Sequence, residues 1–247
     1  MPFDLGLGQT AALSIALFGA AFVRGYSGFG FSAIFIAFAA LITNPLPLIP
    51  VVFACEMLMT VFQARGIRGH VDWRRVFALL AGAAIVLPAA VWCILSLGEG
   101  AVRLAVSFIV LVMSLILLAG WSLPAIRTSG HVGVGAVSGL CNSAGIGGLP
   151  VAAFMAAQPM EAARFRATMI VYLTGRDLIT MPLLWAGGLV TWETALGVTL
   201  AFPLLGLGVW LGGRKFLAAS PSTFRRFAVM LLLTLSLLGL LRAIIRI

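Results

Sequence analysis

The chain has 247 residues and a mass of 26.0 kDa; 62% of the residues are hydrophobic, only 9% are charged, and the mean hydropathy is +1.15. A soluble domain is about half apolar and about a quarter charged, and a chain this short has too little interior to hide the excess. Soluble enzyme, secreted disulfide scaffold and disordered regulator are excluded; the composition is that of an all-α integral membrane protein. The formal net charge of +9 does not mark a nucleic-acid binder, because the 16 basic residues sit mostly in short gaps between apolar runs.

In chain order, the first apolar region, 8–43, is broken near its middle by the polar, Gly-rich stretch Arg24-Gly-Tyr-Ser-Gly-Phe-Gly-Phe-Ser32. Unbroken runs of spanning length follow at about 46–64, 76–97 and 101–120. A second broken region, 131–157, contains Cys141-Asn-Ser-Ala-Gly-Ile-Gly-Gly-Leu-Pro150. Runs at about 167–187, 191–212 and 227–245 complete the chain. The N-terminus carries Asp4 and no basic run before its apolar segment, which argues against a cleaved signal peptide.

The 27 residues of 131–157 would measure about 40 Å as a helix, against about 30 Å for one hydrocarbon core. That length suits either two short helices forming a hairpin or one long broken helix. Charge arbitrates. If the region leaves and re-enters on one side, loops 65–75, 121–131, 158–166 and 213–226 share that side and hold eleven basic residues. The opposite side then has three, Arg103, Arg242 and Arg246, with Arg24 and Arg176 inside the membrane. If both broken regions cross once, the split is seven against seven. The positive-inside rule selects the hairpin. Region 8–43 is assigned the same hairpin by length and analogy, so both termini are expected outside, with the basic loops cytoplasmic at the cell (inner) membrane.

The two broken regions align at an offset of 117, Gly28 with Gly145 and Gly30 with Gly147. Val71-Asp-Trp73 matches Val190-Thr-Trp192 at an offset of 119. Each half is therefore one broken hairpin followed by three long helices, in repeats 1–120 and 121–247 of one transmembrane domain. A unit with an odd net number of crossings must sit upside down when repeated. The expectation is an inverted-topology repeat, a recurrent architecture of secondary transporters.

The Ser27-Gly-Phe-Gly-Phe-Ser32 and Asn142-Ser-Ala-Gly-Ile-Gly-Gly-Leu-Pro150 stretches, one per half, resemble the paired glycine motifs of the sulfite exporter TauE/SafE family. The Val71-Asp-Trp73 that opens the helix after a basic loop is similar too, and the resemblance covers nearly the whole chain. It implies a polytopic transporter of small sulfur-containing anions such as sulfite or organosulfonates. Some members are thought to move other substrates, so membership does not fix the anion. The first motif has Phe31 and Ser32 where the second has Gly148 and Leu149, so the halves need not share one role.

Glycine breaks suit anion transport for a physical reason. A helix that begins inside the membrane leaves backbone N–H groups unpaired at its positive end, and an anion there receives several hydrogen bonds without a fixed full charge. Glycine lets the backbone turn and the anion approach. Non-helical backbone at this depth is tolerable only where it lines a cavity or is buried in protein. Ser27, Gly28, Gly30 and Ser32 with Asn142, Ser143, Gly145 and Gly147 are the candidate substrate-binding residues, brought together near the midplane by inverted symmetry. The plainer alternative is close helix packing, which is the reading given to Gly135/Gly139 and Gly208/Gly212.

Arg24, Glu56, Arg176 and Asp177 are ionisable residues at membrane depth and are functional candidates by default. Arg24 and Arg176 are candidate substrate contacts, and Glu56 and Asp177 candidate coupling carboxylates. A neutralised Glu56–Arg176 pair across the pseudo-symmetry axis competes with direct substrate contact by Arg176. Asp177 is available to pair with Arg24, which otherwise binds anion or snorkels to an interface. Trp73, Trp121, Trp185 and Trp192 read as interface anchors. The Arg65/Arg68/Arg74/Arg75 loop reads as a topology determinant that contacts anionic lipid, or as a substrate vestibule.

The three cysteines Cys55, Cys93 and Cys141 lie in apolar stretches and form no disulfide framework. His70 and His131 lack partners at metal-ligand spacing, so no metal and no cofactor is expected. The motifs HExxH, GxSxG and GxxxxGK[ST] are absent, which argues against an enzyme. The expected partners are a small anionic substrate and membrane lipids, with no nucleic acid; a Gly-rich face is compatible with a homodimer but does not require one. Because the cytoplasm is negative, outward movement of one negative charge gains roughly 2.3 kcal/mol per 100 mV, so export by alternating access needs no coupling ion. A gated anion channel and a proton-coupled transporter of another small organic anion are the alternatives.

Overall fold

The computed structural model describes Phe3, residues 5–119 and 128–216, Leu233 and Leu237. Among the described residues the regular elements are all helices, with no strand. The helices are α1 (Leu7–Ser27), α2 (Phe31–Ile42), α3 (Ile49–Ile67), α4 (Trp73–Leu95), α5 (Glu99–Ala119), α6 (Thr128–Asn142), α7 (Gly148–Ala156), α8 (Ala162–Ala186) and α9 (Trp192–Phe216), and a 3-10 turn at Leu46–Leu48 leads into α3. Among the described residues, five stretches are long and apolar enough to cross a bilayer: Leu7–Ser27, Leu46–Ile67, Trp73–Leu95, Glu99–Ile116 and Trp192–Arg214. This is an all-α integral membrane protein. The run expected at 227–245, Trp121 and the basic residues Arg127, Arg225, Arg226, Arg242 and Arg246 lie outside the described residues.

Both broken regions are hairpins. Gly28 and Gly30 stand at φ +81° and +91°, the left-handed region that favours glycine, and they turn the chain between α1 and α2. Near the other end, Gln9 Nε2 of α1 donates to the carbonyl of Ile42, the last residue of α2, at 3.1 Å. In the second region Gly145 at φ +78° turns the chain, and His131 near the start of α6 meets Phe154 near the end of α7 edge to face, with ring centroids 5.2 Å apart. The hairpins are unequal. The 21 residues of α1 span about 31 Å, enough for a full crossing, whereas the 15 of α6 span about 22 Å.

The packing partners exchange between halves. α1 packs most extensively on α9 and α4 on α6, while α3 packs on α8. Glycines set the first two crossings. A Cβ at Gly135 would strike the Leu79 carbonyl, and one at Gly139 would lie 2.9 Å from the Ala83 carbonyl. On the other crossing, a Cβ at Gly212 would strike the Phe22 carbonyl, and one at Gly208 would lie 2.8 Å from Ala21 Cβ. These are close-approach glycines, which let helix backbones gain dispersion contact where lipid supplies little hydrophobic drive. Buried side chains from both halves, among them Phe31, Ile36, Ile49, Phe53, Ile146, Leu149 and Leu205, form one apolar core. Trp73, Trp185 and Trp192 stand exposed at helix ends, as interface anchors do.

Candidate functional site

α3 and α8 bring the membrane-depth charges together. Arg24, Glu56, Arg176 and Asp177 are all fully buried. Glu56 bridges the two arginines: Oε1 lies 3.4 Å from Arg24 Nη1 and Oε2 lies 3.4 Å from Arg176 Nη2. Asp177 takes its ion pair from its own neighbour, Arg176, at 2.8 Å, rather than from Arg24. The reason is local: the Arg176 side chain folds back so that Nε and Nη2 both donate to Asp177 Oδ1. Arg24 does not snorkel; its Nη2 points inward to Thr60 Oγ1 at 3.4 Å. Two cations against two carboxylates leave the cluster balanced, which is what makes full burial tolerable.

The sequence posed Glu56 pairing and substrate contact as alternatives for Arg176, and the geometry lets one guanidinium do both. Nε and Nη2 serve the carboxylates, while Nη1 is buried without a hydrogen-bond partner among the described residues. Nη1 points at the second break, where a Cβ on Gly147 would stand 2.9 Å from it. The break is held by side chains that sequence reasoning passed over. Ser138 Oγ donates to the Gly147 carbonyl, and Tyr172 donates its hydroxyl to Ser138 at 2.6 Å. Asn142 Nδ2 donates to Thr180 at 2.9 Å, and Asn142 Oδ1 is buried without a partner among the described residues. A helical spacing signal was there to read: Thr168, Tyr172, Arg176 and Thr180 recur every fourth residue, all fully buried on one face of α8. On α3, Glu56, Thr60 and Gln63 form the facing stripe, and Thr60 meets Thr174 of α8 at 2.6 Å.

The first break lies elsewhere. A Cβ on Gly28 would stand 2.8 Å from Arg166 Cγ, near the start of α8, while one on Gly145 would stand 3.0 Å from Ile36 and 3.5 Å from Ile49, the first residue of α3. Arg166 and Arg176 are ten residues apart on α8, about 15 Å along the axis. The two breaks therefore do not face one another at one point; they pack on opposite ends of the antiparallel α3–α8 pair, with the charges between them. Ser27 Oγ donates to the Val23 and Phe29 carbonyls, and Ser143 Oγ to that of Leu140, so these hydroxyls are spent on their own chain. Ser32 is buried at the start of α2.

Segments expected to share a side also touch. Arg74 Nη2 donates to Thr128, the backbone N–H of Asp72 donates to Thr168, and Arg75 reaches Met160. The free cysteines Cys55 and Cys141 are buried in the core, and no cluster of metal-ligating side chains occurs among the described residues.

The sequence matches the family Sulfite exporter TauE/SafE over residues 13–238. The chain belongs to this family. The TauE/SafE match starts within α1, runs past α9 and takes in the whole α3–α8 charge cluster, and the family is one of membrane transporters. We found no match to a curated protein and none to a solved structure.

Proposed function

We propose that this TauE/SafE member exports a small sulfur-containing anion, sulfite or an organosulfonate, by alternating access across the inner membrane. The observation that carries the reading is Arg176 Nη1: a buried, unpartnered cationic donor aimed at the backbone of Gly147. A guanidinium already neutralised through its other nitrogens holds an anion without trapping it. The open acceptor Asn142 Oδ1 beside the same glycine suits an anion that carries a proton, as hydrogensulfite does. Gly145, Gly147, Asn142 and Arg176 form the centre of this binding site, and Arg24 enters through Glu56. The first break, Ser27 to Ser32, is the opposite gate.

The halves act as an inverted repeat, with both termini outside and the basic loops cytoplasmic. Three observations support this: the exchange of packing partners, the contacts among the basic segments, and the pairing of each break with the other half's third helix. On the last point, Gly28 and Gly145 are 117 residues apart, and so are their contacts Ile49 and Arg166. A charge-balanced cluster that takes up one anion carries net negative charge across, so the membrane potential drives export without a coupling ion. Glu56 and Asp177 are then counter-ions in the uniporter and become proton carriers only in a coupled one.

The test is sulfite flux into proteoliposomes under an imposed potential, compared with sulfate, taurine and sulfoacetate. Saturable flux that prefers sulfite and follows voltage without a pH gradient is expected. Currents that fail to saturate would favour a channel, and flux that needs a pH gradient would make Glu56 and Asp177 proton carriers.

A further inference from the structure

A charged side chain, Arg166, holds the first break, where the neutral Ser138 holds the second. Arg166 is half-buried in the second turn of α8, and its Nη2 donates to the Gly25 carbonyl at 2.8 Å. Its stem covers the space over Gly28, and its neighbour Phe165 packs edge to face on Phe29, with ring centroids 5.9 Å apart. The matching contact of Gly145 in the other half is the fully buried Ile49. Arginines of increasing burial lead inward from this end: Arg164 is exposed, Arg166 half-buried and Arg24 fully buried, and Arg24 joins Arg176 through Glu56.

We propose that Arg166 is the latch of a gate at the end of the protein that carries Arg68, Arg74 and Arg75, and that the transported anion opens it. The inference rests on the transport reading above. The donor that binds a neutral carbonyl in the latched state forms a stronger, charge-assisted bond with an anion. An anion arriving past Arg164 draws the Arg166 fork off Gly25. That removes the hydrogen bond from α8 to Gly25 near the end of α1, and the left-handed turn at Gly28 and Gly30 then swings. The anion passes to Arg24 and Arg176. The far end has an apolar latch, Ile49, so its opening does not depend on a guanidinium. Arg166 is thus a positioning and entry residue at one face alone.

The experiment is sulfite flux in inside-out and right-side-out membrane vesicles containing the full chain. Arg166→Gln is expected to raise the half-saturating sulfite concentration about tenfold at the face bearing Arg68, Arg74 and Arg75, the loss of one charge-assisted hydrogen bond. At the other face the half-saturating concentration stays unchanged. An Arg166→Gln protein with wild-type values at both faces, or with equal losses at both, overturns the inference while the transport reading stands. Should Arg166→Gln unfold, Arg166→Lys, which keeps the charge and the stem over Gly28 but not the fork, decides by the same asymmetry. Absence of sulfite flux in folded wild-type protein overturns the transport reading and the latch together.

Discussion

The two glycine breaks share a sequence pattern and differ in what surrounds them. At the first, left-handed Gly28 is closed over by the stem of Arg166, left-handed Gly30 lies against Val23, and the nearby serine bonds to its own helix. At the second, one left-handed glycine sits against Ile36 and Ile49, while Gly147 is fixed by Ser138 and faces the open Nη1 of Arg176. In the proposed reading one break is the gate and the other the binding site. A shared motif then does not imply a shared role; the role follows from the residue the neighbouring helix brings to it.

Removing Arg176 tests this contrast most severely. Arg176→Leu leaves Glu56 with one cationic partner and Asp177 with none of its present donors, and breaking a buried pair in this way costs about 3–5 kcal/mol. A large fall in thermal stability in detergent, with loss of transport, is expected. Gly28→Ala and Gly145→Ala come next. The left-handed backbone penalises alanine by about 1–2 kcal/mol at each site, so both proteins should fold yet lose transport in flux assays; normal transport by both would end the reading of the breaks as working parts. A smaller effect separates the breaks. Tyr172→Phe removes the hydrogen bond that supports Ser138 and Gly147, worth about 1 kcal/mol, and should raise the half-saturating sulfite concentration several-fold equally from both faces. Thr174→Val should do least. It removes the contact with Thr60 and leaves the Arg24–Thr60 bond in place, at a stability cost near 1 kcal/mol, measurable by thermal unfolding.

Much of this was legible in the sequence. Composition alone placed the chain in the membrane, and the Gly-rich interruptions marked both hairpins, because only such residues reverse a helix at depth. The four buried charges were legible too, since Arg24, Glu56, Arg176 and Asp177 stand out in apolar runs. Pairing was harder: the Arg176 side chain folds onto its own neighbour Asp177, a rotamer choice that no spacing encodes. The separation of the breaks was also hidden. The offset of 117 pairs Gly28 with Gly145 in sequence but does not say whether the paired points coincide or lie apart. Arg166 looked like one more loop cation until α8 was seen to carry it against Gly28. Tyr172 and Ser138 were missed because single polar residues in apolar helices gave no signal until read at fourfold spacing along one face.

The most direct test of the account is sulfite binding to the detergent-solubilised protein by calorimetry, wild type against Arg176→Lys, with fold checked by thermal unfolding. The lysine variant retains the charge but concentrates it in one ammonium, in place of the planar fork that serves Glu56 and Asp177 while aiming Nη1 at Gly147. The account predicts one sulfite per chain for the wild type and affinity weakened at least about tenfold, roughly one lost charge-assisted bond, for folded Arg176→Lys. Wild-type affinity in the folded variant would contradict it.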